Sequence, residues 1–252
     1  EARDRSPEMS DDAARGIRSA AALWLRQWHR WTLDLHHQLP AEPTLLVANH
    51  GFGGIFDLNA AAAMVCADLV NHRPTTILVH EVAWTLKVGP VIERFGAVPA
   101  RRDAAREALA AGRNVLVFPG GDEDAFKAHR DRDRVSFSGH TGFAWLAIEA
   151  DVPVVPIVTA GAGDTLFVLS DGRHLARALR LDEMFRLKAL PTTVSVPWGL
   201  SIGAVGFLPY LPLPVQISTA VLEPMRPQPD ENATAFAARI ADTTQDRLNH
   251  LR

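Results

Sequence analysis

Two periodicities divide the chain. Short runs of apolar and β-branched residues, TLLVA (44–48), TTILVH (75–80), NVLVF (114–118), PVVPIV (153–158) and VQISTAVLEPM (215–225), have strand length and composition. Longer segments between them carry apolar residues at helical spacing. MSDDAARG opens a helix, with Ser10 as N-cap and two acids in the first turn, predicted to run to about residue 38. Further helices are predicted over 58–70, 82–95, 102–112, 142–150, 174–190 and 231–251. Gly112 stands where a left-handed residue closes the helix that begins at Arg102. Strands alternating with helices predict one α/β domain over 39–252, a mostly parallel central sheet flanked by helices, behind an N-terminal helical segment over 1–38. Residues 191–214 interrupt the rhythm with five prolines and read as a long apolar loop, a form expected when a loop covers something.

Composition narrows the function classes. The 252 residues suffice for a large buried core, and a formal charge of −3 supplies no basic footprint, so nucleic acid is not expected as a partner. The single Cys66 excludes an internal disulfide and suits a reducing, cytoplasmic setting; among AAAAMVCADLV it reads as a small buried hydrophobe. No apolar run is long enough to span a bilayer. The chain opens on Glu1 without a charged-then-apolar leader, so no signal peptide is expected; an upstream segment is left open. On the first helix Ile17, Ala21, Trp24, Trp28, Trp31 and Leu35 form one stripe with Arg26 and Arg30 behind it. That stripe fits core packing, and it also fits a helix lying in a membrane interface. The basic, Leu-rich segment 174–190 and the loop 197–214 are further places for lipid contact, and peripheral membrane association is expected.

Candidate chemistry concentrates in LLVANHGFGGIFD (45–57), where His50 ends a strand and Asp57 begins a helix. A histidine within reach of a hydroxyl serves as general base near neutral pH, and a carboxylate on its other ring nitrogen fixes the tautomer. Seven positions of continuous helix would hold the two backbones about 10 Å apart. Gly51, Gly53 and Gly54 permit the turn that brings them together. The plain alternative makes Asp57 an N-cap and His50 a polar strand end, and on the residues alone that reading is preferred.

The same stretch resembles the first motif of the glycerolipid (lysophospholipid) acyltransferase superfamily, Asn-His followed shortly by Asp. The resemblance continues through FGAVPARRDAAREALAAGRNVLVFPGGDEDAF, RDRVSFSGHTGFAWLAIEADVPVVPIVTAGAGDT and VPWGL…LPLPVQISTAVLEPM, in the expected order, over roughly residues 44 to 226. The FPGG form is similar to the branch of diacylglycerol and phytyl-ester acyltransferases. The usual spacing puts four residues between His and Asp; here there are six, with Ile55 at the usual acid position, so the role passes to Asp57. His140 replaces a common Arg, and Asp164 keeps a common acid. The resemblance implies an O-acyltransferase using acyl-CoA or acyl carrier protein as donor and a lysophospholipid, glycerolipid or other lipid hydroxyl as acceptor. It further implies His50 and Asp57 as catalytic residues, substrate contacts from Asn49, Arg101, Phe118, Pro119, Gly120, Gly121, Asp124 and His140, and no cofactor beyond the acyl thioester.

The residues of the later blocks keep their own alternatives. Gly120 and Gly121 let backbone amides approach an oxyanion or head group, or they serve a strand-end turn for geometry alone. Arg101, Arg102 and the run Lys127, Arg130, Arg132, Arg134 suit a phosphate, or form a solvated face; Arg101 is the preferred contact. GLSIG (199–203) matches a hydrolase nucleophile elbow around Ser201, but its Pro-rich setting is not strand-to-helix. HEVAW (80–84) starts like a zinc-protease helix but has Trp84 where a second His is needed, and no metal site is expected. A serine hydrolase using Ser201 and a non-catalytic lipid-binding homologue are therefore carried as alternatives to the transferase.

Overall fold

Among the described residues, seven strands form the sheet that orders the molecule. The computed structural model describes residues 11–51, 57–85, 89–93, 96–120, 129–179, 190–203 and 210–252. The strands are β1 (Thr32–Leu35), β2 (Leu45–Ala48), β3 (Thr75–Val79), β4 (Ala97–Pro99), β5 (Asn114–Val117), β6 (Val154–Ala160) and β10 (Ser218–Val221). They lie in the order β1-β10-β6-β2-β5-β3-β4; β6, β2, β5, β3 and β4 run parallel, and β10 pairs antiparallel with β6 and parallel with β1. A second sheet, β7 (Phe167–Ser170), β8 (Thr192–Ser195) and β9 (Gly199–Ile202), is antiparallel throughout.

The central strands are apolar without alternation because both their faces are covered. Leu45, Val47, Val115, Val117 and Val154 point into a core closed by α5 (Arg102–Ala110), α6 (Gly142–Ala150) and α8 (Ala233–His250). Leu46, Ala48, Leu116, Val155 and Ile157 point the other way, onto α1 (Asp11–His29) and α2 (Leu58–Asn71). Cys66 is fully buried in that second layer, where desolvation pushes its thiol up to about 12. The chain is thus one α/β unit with a mostly parallel sheet between two helical layers, as the alternation predicts.

Several elements differ from the sequence reading. The first helix ends at His29, not near residue 38, because Arg30 turns left-handed (φ 46°) and Trp31 anchors its indole on Thr219 at 2.9 Å. Residues beyond it pair with β10 as edge strand β1, so the proposed Trp stripe divides: Trp31 is buried, Leu35 lies in a strand and Trp28 donates to the Pro212 carbonyl. Segment 82–95 holds two short helical turns, α3 (Val82–Thr85) and α4 (Gly89–Ile92). Segment 174–190 begins as α7 (Arg173–Ala178), and its remainder from 180 to 189 lies outside the described residues, as does the cap at Ser10. The expected Pro-rich loop contains the β8–β9 hairpin.

Candidate active site

The parallel strands bring their carboxyl ends to one edge, where open α/β sheets bind ligands. His50 follows β2, Phe118 follows β5, Arg101 follows β4 and Gly161 follows β6. Because β10 runs the other way, the segment leading into it, Tyr210 to Ile217, crosses the same edge.

There His50 and Asp57 meet. His50 Nδ1 lies 2.9 Å from Asp57 Oδ2, with side chains only 18% and 12% exposed. The other carboxylate oxygen, Oδ1, accepts from the backbone N–H groups of Asn59 (3.0 Å) and Ala60 (3.2 Å). Asp57 is therefore the N-cap of α2 and the partner of His50 at once, and the two readings of the sequence coexist in one side chain. With Nδ1–H donating to the carboxylate, the lone pair of the neutral imidazole sits on Nε2.

The strand end that carries His50 is braced by Asn49, which is 2% exposed. Its Nδ2 donates to the Thr159 carbonyl (3.0 Å), and its Oδ1 accepts from the Thr159 N–H (2.8 Å), tying the end of β2 to β6. Its own carbonyl accepts from Asn59 Nδ2 at 2.9 Å, tying β2 to α2. Both polar atoms of this side chain, expected to touch substrate, are hydrogen-bonded to the Thr159 backbone. Gly51 is needed for closeness, not for a left-handed turn: a Cβ there would lie 2.9 Å from Asn59 Oδ1 and 3.2 Å from the Ala162 methyl. Gly53 and Gly54 lie outside the described residues.

Phe118 stacks at a tilt on the His50 ring, centroids 4.8 Å apart. Pro119 and Gly120 are buried, and Gly121 and Asp124 lie outside the described residues. Tyr210, the one tyrosine of the chain, is buried on the crossing segment and was not singled out from the sequence. Burial pushes its phenol up, a hydrogen bond with the Thr165 side chain opposes that, and the nearby charge of Asp57 adds to the rise. Its position in a short Pro-rich stretch was the available signal.

Other expected contacts stand further off. Arg101 is exposed and pairs with Asp103 at 2.8 Å. Three strand spacings separate β4 from β2, about 14 Å, so it faces the edge at a distance from His50. His140 is exposed in the turn before α6, its Nδ1 2.9 Å from the Phe137 carbonyl oxygen. Asp164 is held by Arg132 (2.6 Å) and by Arg252; burial alone raises its carboxyl, but the two guanidinium groups outweigh that and keep it below the ordinary range. Arg132 thus shares Asp164 with Arg252. Ser201 lies within β9, not at a strand-to-helix corner, and its hydroxyl points to the Trp198 carbonyl at 3.4 Å. No cluster fit for a metal occurs among the described residues. A cleft of about 530 Å³ between Glu42, Arg106, Glu149 and Asp151 opens at the amino-terminal edge, away from His50.

Comparison with known proteins gives consistent relatives. A family model described as Acyltransferase matches residues 31–160. An uncharacterised protein of Mycobacterium tuberculosis is 28% identical over 211 residues, 83% of this chain and 56% of that protein. The DGAT1/2-independent enzyme synthesizing storage lipids of Gallus gallus is 24% identical over 221 residues, 87% of this chain and 59% of that enzyme. The chain thus spans less than two thirds of the length of these relatives. The crystal structure of the 1-acyl-sn-glycerophosphate (LPA) acyltransferase PlsC from Thermotoga maritima superposes with a TM-score of 0.58 at 15% identity, covering 97% of this chain and 84% of that one. That likeness concerns the fold.

Proposed function

Since the chain belongs to the acyltransferase family, we propose that it transfers a fatty acyl group from a thioester donor, acyl-CoA or acyl carrier protein, to the hydroxyl of a lipid acceptor. The observation that carries this reading is the 2.9 Å contact between His50 and Asp57 at the carboxyl edge of the sheet. His50 Nε2 takes the proton of the acceptor hydroxyl as its oxygen attacks the thioester carbonyl. The new C–O bond gives a tetrahedral oxyanion; its collapse breaks the C–S bond, and the imidazolium returns the proton to the leaving thiolate. Asp57 holds the tautomer and stabilises the imidazolium between those steps. Phe118 backs the ring and limits water beside it. Arg101 suits a phosphate remote from the reacting carbonyl, on an extended donor or on a phosphorylated acceptor.

The test is direct. Labelled acyl-CoA and acyl carrier protein are each incubated with lysophospholipid, monoacylglycerol, diacylglycerol and long-chain alcohol acceptors, and ester products are separated. Wild-type protein forms an ester with at least one pair, and His50→Ala lowers its rate on the order of 10²–10⁴. A non-catalytic lipid-binding protein would form none with any pair, and a Ser201 hydrolase would release free acid and lose activity in Ser201→Ala.

A further inference from the structure

The small β7–β8–β9 sheet turns its apolar face outward. Phe167, Val194 and Leu200 are register partners across the three strands, and all three side chains are exposed, Leu200 at 70%. Ile202, two residues along β9, is exposed at 59%. The opposite face holds Val168 and Thr193, both buried, beside Ser201. An antiparallel sheet covered on one side is ordinarily polar on the other. Here the outward face instead carries Phe167, Val194, Leu200 and Ile202, a cluster of exposed apolar side chains that a surface meeting only water does not call for. The Pro-rich segment extends the pattern: Tyr210 and Pro212 are buried while Leu211 and Leu213, between and beyond them, are exposed. Leu211 donates its N–H to the Val196 carbonyl at 2.8 Å, which places it against the end of β8.

Among the described residues beside this face, basic side chains outnumber acidic ones. Among the described residues of 165–179, 190–203 and 210–217 the carboxylate is Asp171, ion-paired with Arg173 at 3.1 Å. His174 and Arg177 are exposed on α7, together with Leu175 and Leu179. The face is also near the site. Ala162, against which Gly51 packs, lies five residues before Phe167, and Leu213 donates to the Thr165 carbonyl on the same connection at 3.1 Å.

We propose that the outward face of the β7–β8–β9 sheet, with Leu211 and Leu213 beside it and Arg177 at its rim, is the surface that seats the protein on a lipid bilayer containing anionic lipid. The choice of a bilayer as occupant rests on the acyl-transfer reading above, because a lipid acceptor must reach His50 from a membrane, and on the basic rim, which favours anionic head groups. Seated this way, the carboxyl edge of the large sheet lies beside the membrane, and an acceptor hydroxyl passes along the Thr165–Leu213 connection to the imidazole.

Co-flotation with vesicles tests the surface without requiring turnover. The 252-residue chain is mixed with vesicles of phosphatidylcholine alone or with added phosphatidylglycerol. Wild-type protein floats with both and more strongly with the anionic vesicles. Leu200→Ser combined with Ile202→Ser weakens binding to both by about tenfold or more, while Arg177→Gln removes most of the preference for phosphatidylglycerol. Leu23→Ser, on the exposed side of α1, leaves binding unchanged. Thermal melts report folding, and Phe167→Ser replaces the double variant should that fail to fold. Undiminished flotation of both Leu200/Ile202 and Phe167 variants overturns the proposal. So does a wild-type dimer, seen by light scattering, that the same substitutions split without any vesicle binding. Vesicle binding as predicted with no acyl transfer would remove the proposed reaction and leave the surface standing.

Discussion

Asp57 divides its two carboxylate oxygens between a helix and a ring, so two substitutions separate the tasks. Asn remains a good N-cap, but its amide N–H cannot accept from His50 Nδ1–H and favours the wrong tautomer. Asp57→Asn is expected to lower kcat on the order of 10²–10⁴ with an unchanged urea midpoint. Asp57→Ala should lose the same activity and about 1 kcal/mol of stability as well. Steady-state kinetics beside urea unfolding reads both, and equal stability of the two variants would contradict the capping role. Asn-His and Asp were visible in the sequence as a candidate pair, because their residue types carry the chemistry. Their contact was not, because six residues separate them along the chain and because it depends on the α2 amides that fix Asp57. Tyr210 was invisible for a related reason: only the antiparallel return of β10 brings its segment to the edge that holds Asp57.

Among the elements, strand ends matter most, since they aim the site. Asn49 joins β2 to β6 through a pair of hydrogen bonds with the Thr159 backbone and joins β2 to α2 through its carbonyl. Asn49→Ala leaves the N–H and carbonyl of Thr159 buried without those partners, and unfolding free energy should fall by about 2–4 kcal/mol. A loss of activity without a loss of stability would instead assign Asn49 to the substrate. The buried strands were legible because their apolar runs are continuous, and α5 because Gly112 ends it at φ 77°. Strand β1 was not, since TLDL follows a helical pattern without a break and takes its conformation from β10. The β8–β9 hairpin was hidden by prolines that also read as loop.

For the molecule as a whole, His29 makes stability depend on pH. Its ring is fully buried, edge-on to Trp24 at 5.1 Å, and desolvation lowers its pKa, with the Val215 backbone partly opposing. Unfolding returns the ring to an ordinary value near 6.5. Below that pH the unfolded chain therefore takes up a proton that the folded chain resists, and stability falls as the pH drops. Urea midpoints measured from pH 8 down to pH 5 should decline below about 6.5, and His29→Phe should flatten that part of the curve. The three-layer architecture was readable from alternation alone; the outward apolar face was not, because a period of two shows that faces differ without saying which one is covered. The most direct measurement of acyl transfer with His50 as base is ester formation from labelled acyl thioester and a lipid acceptor by wild type and His50→Ala, folded to the same extent by circular dichroism. The wild type should form product and the variant should lose a factor on the order of 10²–10⁴ in rate; equal rates from the two proteins would remove His50 as the base.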